Sequence, residues 1–245
     1  MDNALYVGLS RQMVLRREMD IIANNIANVD TNGFKVESLM QKTDPAEPAV
    51  TFGGPRPVKF VAADLVARDF GQGALNKTGA PLDMAIEGEG FFQVQTPNGP
   101  RFTRDGRFTT APDGRLVTQQ GYPVLSDGGG EITIDAEKGQ VSIGADGTMS
   151  QGNELVGKVG MFSFANQSAL EKSGDNAFRN SSNLQPQQAE TAKLRQGHLE
   201  NSNVKPVLEI TRMVEVSRAY ESTARMIDNA ADLSRRSVER LGRTQ

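Results

Sequence analysis

Five carboxylates in the middle of the chain, Asp83, Glu87, Glu89, Asp105 and Asp113, are the side chains best suited to chemistry. A facing pair of them is what glycoside cleavage would use. Most, however, stand in turn sequences, where Asp is selected for backbone geometry, and the turn reading is preferred. Calcium binding fails on pattern, because the chain has neither the spaced Asp/Asn loop with a distal Glu nor a glycine-rich nonapeptide repeat. His198, the only histidine, would need a nucleophile beside it to serve in a triad, and its polar stretch favours a structural or solvent-exposed role. Gly88-Glu89-Gly90 lacks the third glycine of a dinucleotide fingerprint and is followed by a strand pattern rather than a helix. With no cysteine there is no thiolate metal site and no disulfide scaffold. The expectation is no catalytic residue, no metal and no cofactor: not an enzyme.

One polar cluster is of another kind. Asn24, Asn25, Asn28 and Asn32 gather where the first helix ends. Each amide both donates and accepts, so the cluster reads either as a patch that fixes how the helix meets neighbouring subunits or as a fraying end with solvated amides.

The elements that must position these residues fall into two plans. From about Gly79 to Phe164, turn signals recur at Asn98-Gly99, Asp105-Gly106, Asp113-Gly114, Asp127-Gly128 and Asp146-Gly147. Between them lie short runs rich in Val, Ile, Phe and Thr, such as Phe91 to Gln95, Leu116 to Thr118, Ile132 to Ile134, Val141 to Ile143 and Val156 to Phe164. These dipeptides supply the positive φ of tight hairpins, which predicts an all-β, antiparallel, locally connected domain.

The ends read as helices. Alternating steps of three and four from Leu5 give Leu5, Gly8, Gln12, Leu15, Met19, Ile22, Ile26 and Val29, mostly apolar, with a stop at Asp30-Thr31-Asn32-Gly33. After Pro206 the same stepping gives Ile210, Met213, Ser217, Tyr220, Ala224, Ile227, Ala231, Ser234, Val238 and Leu241, uninterrupted by Gly or Pro before Gly242. At 1.5 Å per residue the second helix is a rod of about 50 Å, longer than the β domain is wide. The apolar members of these seams, together with Asn25 and Asn28, are the expected assembly interface.

Composition agrees with this division. Of 14 Phe and Tyr residues only Tyr6, Phe34 and Tyr220 lie towards the ends, so the aromatic core belongs to the middle. The net charge is −3 and no region has the basic excess that phosphate neutralisation requires, which argues against nucleic-acid binding. No stretch is apolar enough for a membrane span, and Arg11, Arg16 and Arg17 interrupt any cleaved leader. Thr43 to Pro57, with four prolines and Gly53-Gly54, is expected to be extended and irregular, and Ser173 to Asn203 to be a polar linker. The expected plan is α+β: a helix in 1–35, an extended segment in 36–77, an all-β domain in 78–165, a polar linker in 166–203, and a helix in 204–245 that packs with the first as a coiled-coil-like layer.

Several segments then carry a resemblance. Ala23-Asn24-Asn25-Ile26-Ala27-Asn28-Val29-Asp30-Thr31-Asn32-Gly33-Phe34-Lys35 resembles the N-terminal signature of the bacterial flagellar rod and hook proteins. Thr78 to Ile86 with Gly88-Glu89-Gly90-Phe91-Phe92, and then Thr103 to Phe108 with Asp113 to Val117, resemble that family's β domain. Leu199-Glu200-Asn201-Ser202-Asn203-Val204, with Arg218-Ala219-Tyr220-Glu221 in the helix that follows, resembles its C-terminal signature. Asp30 and Asn32 stand where the family often has other small polar residues. The length and the opening Met1-Asp2-Asn3-Ala4-Leu5-Tyr6 resemble a proximal-rod subunit, with a distal-rod subunit the nearest competitor, and a hook protein would carry an additional outer domain.

The resemblance implies a helical tube whose inner layer is the terminal helices. It implies partners that are copies of the chain, other rod proteins and the flagellar type III export apparatus, with no nucleic acid and no membrane insertion. It places the protein in the basal-body rod within the periplasm, exported without a cleaved leader. The competing classes are an all-β carbohydrate- or ligand-binding protein on a coiled-coil stalk and a trimeric fibre. Limited proteolysis of the monomer is predicted to trim both ends and leave a core of roughly residues 60–170.

Overall fold

The computed structural model describes residues 2–43, 61–182 and 185–242; the side chains of 2–5, 41–43, 61–64, 234 and 237–242 lie outside the description. The protein is α+β and divides into two compact units, one comprising Met1–Ala27, Glu37–Arg68 and Lys205–Gln245, the other Asn28–Val36 and Asp69–Val204.

The first unit contains two long helices and a hairpin. α1 is Asp2–Ala27 and α2 is Pro206–Gly242. Pro206 occupies the first helical position, where its missing N–H leaves no bond unmade, and no other proline follows to break the rod. β1 (Glu37–Thr43) and β2 (Val61–Arg68) pair antiparallel, Glu37 opposite Arg68, with a register irregularity between Met40 and Lys42. Apart from Thr43, the stretch to Pro57 expected to be irregular lies outside the described residues. Among the described residues no helix is long and apolar enough to cross a membrane.

The second unit is antiparallel β throughout. β3 (Leu75–Lys77) and β4 (Met84–Glu87) precede the central hairpin of β5 (Phe91–Thr96) and β6 (Gly99–Thr103). β7 (Phe108–Thr110) and β8 (Leu116–Thr118) form a short ribbon, followed by β9 (Val141–Ile143), β10 (Thr148–Gln151), β11 (Glu154–Lys158) and β12 (Met161–Ser163). β13 (Leu170–Lys172), β14 (Ala177–Asn180), β15 (Gln187–Gln188), β16 (Lys193–Gln196) and β17 (His198–Glu200) complete it. The largest sheet runs β13-β14-β6-β5-β12-β15; β11-β10-β9 form a second, and β16 pairs with β4 and β17 with β3.

Most turn dipeptides serve as expected. Gly114 and Gly147 have φ of 85° and 88°, and they close β7 to β8 and β9 to β10. Asp105-Gly106 does not make a hairpin. The N–H of Met84 donates to the Gly106 carbonyl at 3.0 Å, and a Cβ at Gly106 would lie 1.6 Å from the Met84 carbonyl oxygen. Glycine is there to let two backbones touch. Alternating strand burial builds two cores. The larger gathers Met84, Ile86, Phe92, Leu116, Val124, Ile132 and Met149. The smaller is aromatic: Phe91, Phe102, Phe162, Phe164 and Phe178 with Phe70, in edge-to-face pairs such as Phe102–Phe164 at 4.8 Å.

The stretch 166–203, expected as a linker, contains β13 to β17. Its composition is poor in large apolar residues, but a ladder needs backbone groups rather than bulky side chains, and β14, β16 and β17 are held by pairing with β6, β4 and β3. The resistant fragment from limited proteolysis should therefore extend beyond Glu200. One ending near residue 170 would contradict this division.

Candidate functional site

The residues singled out at the two ends occupy three arrangements. In the first, α1 and α2 meet through buried Leu15, Ile22 and Val216, with Met19, Ile26, Met213, Ala219 and Tyr220 packed around them. Gly8 gives Ile227 room, since a Cβ there would lie 2.8 Å from Ile227 Cγ1. Ala224 and Ala231 are half-buried. Ile210, by contrast, is 53% exposed, while Val216, absent from the expected seam, is buried. The buried stripe is Glu209, Met213, Val216 and Tyr220, so the expected seam has Ile210 and Ser217 one residue away from the positions that face α1. Leu5, Val238 and Leu241 have side chains outside the description.

In the second arrangement Asn25 differs from its expected place at an intermolecular surface. It is fully buried, and both ends of its amide are bonded within the chain. Nδ2 donates to the Glu37 carbonyl at 2.7 Å and to Glu209 Oε2 at 2.9 Å, and Oδ1 accepts from the Glu37 N–H at 3.0 Å. Glu209, in the first turn of α2, is itself buried and accepts from Arg212 Nη1 at 3.1 Å. One amide thus joins α1, β1 and α2. Asn28 and Val29 belong to the other unit and are half-buried. Asn28 Oδ1 accepts from the Thr31 hydroxyl at 3.1 Å, stiffening the turn after α1.

The third arrangement is a buried ionic cluster in the β unit. Glu200 Oε1 accepts from Lys35 Nζ at 2.6 Å and from the Gly73 N–H at 2.9 Å; Oε2 accepts from Arg104 Nη1 at 2.9 Å. Lys35 also donates to the Gly71 carbonyl at 2.7 Å, and Arg104 Nη2 to the Gly88 carbonyl at 2.7 Å. Arg104 lies 5.3 Å over the Phe91 ring, and its Nε is buried without a partner. Burial lowers the Lys35 ammonium below its usual range, against the opposing pull of the Glu200 carboxylate. Gly33 adopts φ +68°, as its place in the stop signal suggested, but for a further reason: a Cβ would lie 2.5 Å from the Arg104 carbonyl carbon. Residue identity alone could have flagged Lys35 and Glu200, since both lie in the terminal signatures. That Glu209 and Arg104 would be buried had no such signal.

The carboxylates weighed for catalysis are engaged as turn and surface residues. Asp105 holds Arg107 at 2.7 Å, Asp113 holds Arg115 at 2.7 Å, Glu87 holds Arg195 at 2.7 Å, and Asp83 accepts from the Thr78 hydroxyl at 2.6 Å. The Arg115 N–H and guanidinium hold the Asp113 carboxyl below the usual carboxylate range. Glu89 is exposed. His198 lies in β17, its Nδ1 2.8 Å from the Gln196 carbonyl. No group of three or more His, Cys, Asp or Glu suited to a metal ion occurs among the described residues.

Large apolar side chains left in solvent are concentrated in the helical unit. Tyr6, Leu9 and Met13 form a stripe on α1; Val207, Ile210 and Val214 form one on α2, with Leu208, Met226 and Leu233 on another face; Met40 and Leu65 face each other across the hairpin. In the β unit Leu155 is the residue of this kind.

Comparison with known proteins matches both ends of the chain and its middle. Residues 5–35 match the family described as Flagella basal body rod protein, residues 195–240 the Flagellar basal body rod FlgEFG protein C-terminal, and residues 85–151 the Flagellar hook protein FlgE/F/G D1 domain. Over 99% of both chains the sequence is 59% identical to the flagellar basal-body rod protein FlgF of Caulobacter vibrioides and 36% identical to FlgF of Mesorhizobium japonicum. It is 33% identical to FlgG of Bacillus subtilis, covering 94% of this chain and 96% of that protein.

The Asn25 clasp makes a graded prediction. Asn25→Ala leaves buried partners unsatisfied and should cost about 1–3 kcal/mol in thermal unfolding of the full chain. Asn25→Asp sets a second carboxylate against Glu209 and should cost more. Equal, negligible effects would show that the clasp contributes nothing.

Proposed function

The chain belongs to the flagellar basal-body rod protein family, and on that premise we propose how it assembles. It is a structural subunit of the flagellar basal body rather than an enzyme. We place it in the proximal rod, where it polymerises with copies of itself and with other rod proteins, its two terminal helices forming a coiled-coil-like inner layer. The 59% identity to FlgF of Caulobacter vibrioides, against 33% to FlgG of Bacillus subtilis, favours the proximal position. We further propose that it crosses to the periplasm through the flagellar type III export apparatus.

One observation carries the assembly reading: the apolar stripes on α1 and α2 remain in solvent after the helices have buried Leu15, Ile22 and Val216 against one another. An exposed patch of this extent, confined to one unit, marks a protein interface, and covering it recovers about 25 cal/mol per Å² of apolar surface. Asp105, Asp113 and Glu87 are taken up by neighbouring arginines, which supports a spacer role over ligand binding.

The test uses residues that the single chain leaves outside. Ile210→Asp with Val214→Asp should leave the monomer's unfolding free energy within about 0.5 kcal/mol of the parent while removing the protein from isolated basal bodies and abolishing motility. Ile227→Asp cannot make this distinction, because Ile227 also packs on Gly8. Normal motility in the double variant would sink the reading.

A further inference from the structure

Residues 193–203 are bonded to most of the segments around them. β16 pairs with β4, Leu194 opposite Ile86, and β17 with β3, Leu199 opposite Asn76. The same segment holds the N-terminal signature. The Gly33 N–H donates to the Glu200 carbonyl at 2.7 Å, the Asn203 N–H donates to the Phe34 carbonyl at 3.3 Å, and Asn203 Oδ1 accepts from the Val36 N–H at 2.8 Å. Asn203 Nδ2 donates to the carbonyls of Asp69 at 2.8 Å and Gly71 at 3.1 Å. Gly73 is pressed so closely that a Cβ would lie 2.0 Å from the Asn201 carbonyl oxygen. Residues 33–36, 69–79 and 84–87 thus all depend on a segment that comes more than a hundred residues after them.

The charges sharpen this dependence. Lys35 and Arg104 are both buried, and the carboxylate they share arrives on β17. Without it two cations would be left together out of water, a state that costs far more than an exposed pair would.

We propose that residues 193–203 are a closing strap and Glu200 its latch: the β unit cannot reach its final packing until this segment docks, because only then do the buried cations share a counter-charge. The unit stays open until everything but α2 is available to it. The latch operates whether or not the chain is exported; if it is exported as proposed, the strap keeps the β unit from closing early. The experiment reads the latch alone, so failure of the export reading would leave it standing.

Amide hydrogen exchange on the full chain tests it. In Glu200→Gln, amides of β3, β4, β16 and β17 should exchange at least ~100-fold faster than in the parent, while those of β10 and β11 change by less than about tenfold. Leu199→Ala loosens the strap without touching a charge and should expose the same strands. Protection unchanged in Glu200→Gln, different strands exposed by the two variants, or uniform acceleration that includes β10 and β11 would each overturn the proposal. If Glu200→Gln does not fold, Leu199→Ala decides by the same pattern.

Discussion

Glu200 is buried to 1% exposure, and a carboxylate in that position is untenable unless cations and N–H groups meet it from several directions. Lys35, Arg104 and the Gly73 N–H do so, and they come from three distant parts of the sequence. The constraint propagates. Gly33 must take a positive φ to bring Lys35 past the Arg104 backbone, Gly73 must lack a side chain beside Asn201, and β16 and β17 must already be laid against β4 and β3. The helical unit repeats the device with less charge, Asn25 linking α1 and β1 to the Glu209 carboxylate of α2. In each unit a buried polar contact ties residues near the start of the chain to residues near its end. Such contacts contribute more to the uniqueness of an arrangement than to its free energy.

The two units divide the work. The β unit gathers Phe91, Phe102, Phe162, Phe164 and Phe178 in one core and holds Asp105, Asp113 and Glu87 on neighbouring arginines. The helical unit buries only one face of each helix and leaves Tyr6, Leu9, Met13, Val207, Ile210 and Val214 in water. A lone chain therefore pairs its buried carboxylates Glu200 and Glu209 and leaves large apolar side chains in water. That is the condition under which addition of further subunits is favourable while the subunit itself keeps a definite shape.

Much of this was legible from residues. Pro206 and Gly242 bracket α2 as expected, and Asp113-Gly114 and Asp146-Gly147 close hairpins because only a residue tolerant of positive φ serves there. Long-range pairing was not legible. Ser173 to Asn203 looked like linker because its side chains bury little, yet its backbone completes several ladders. Asp105-Gly106 has the letters of a hairpin, but its glycine answers to Met84 across the unit. The stepping that found Leu15 and Ile22 on α1 missed Val216 on α2, because Val207, Ile210 and Val214 make a second apolar stripe there and spacing alone does not say which stripe is buried. Asn25 was recognised as special for the right chemistry, donor and acceptor in one group, while its partners proved to lie within its own chain.

The most direct measurement is an image of the assembled rod at side-chain resolution. It should show Asn25 bonded to Glu209 and Lys35 to Glu200 of the same subunit, with Tyr6, Leu9, Met13, Ile210 and Val214 covered by neighbouring subunits. Asn25 or Lys35 bonded instead to another subunit's carboxylate, or those apolar side chains still facing water in the finished rod, would contradict the account.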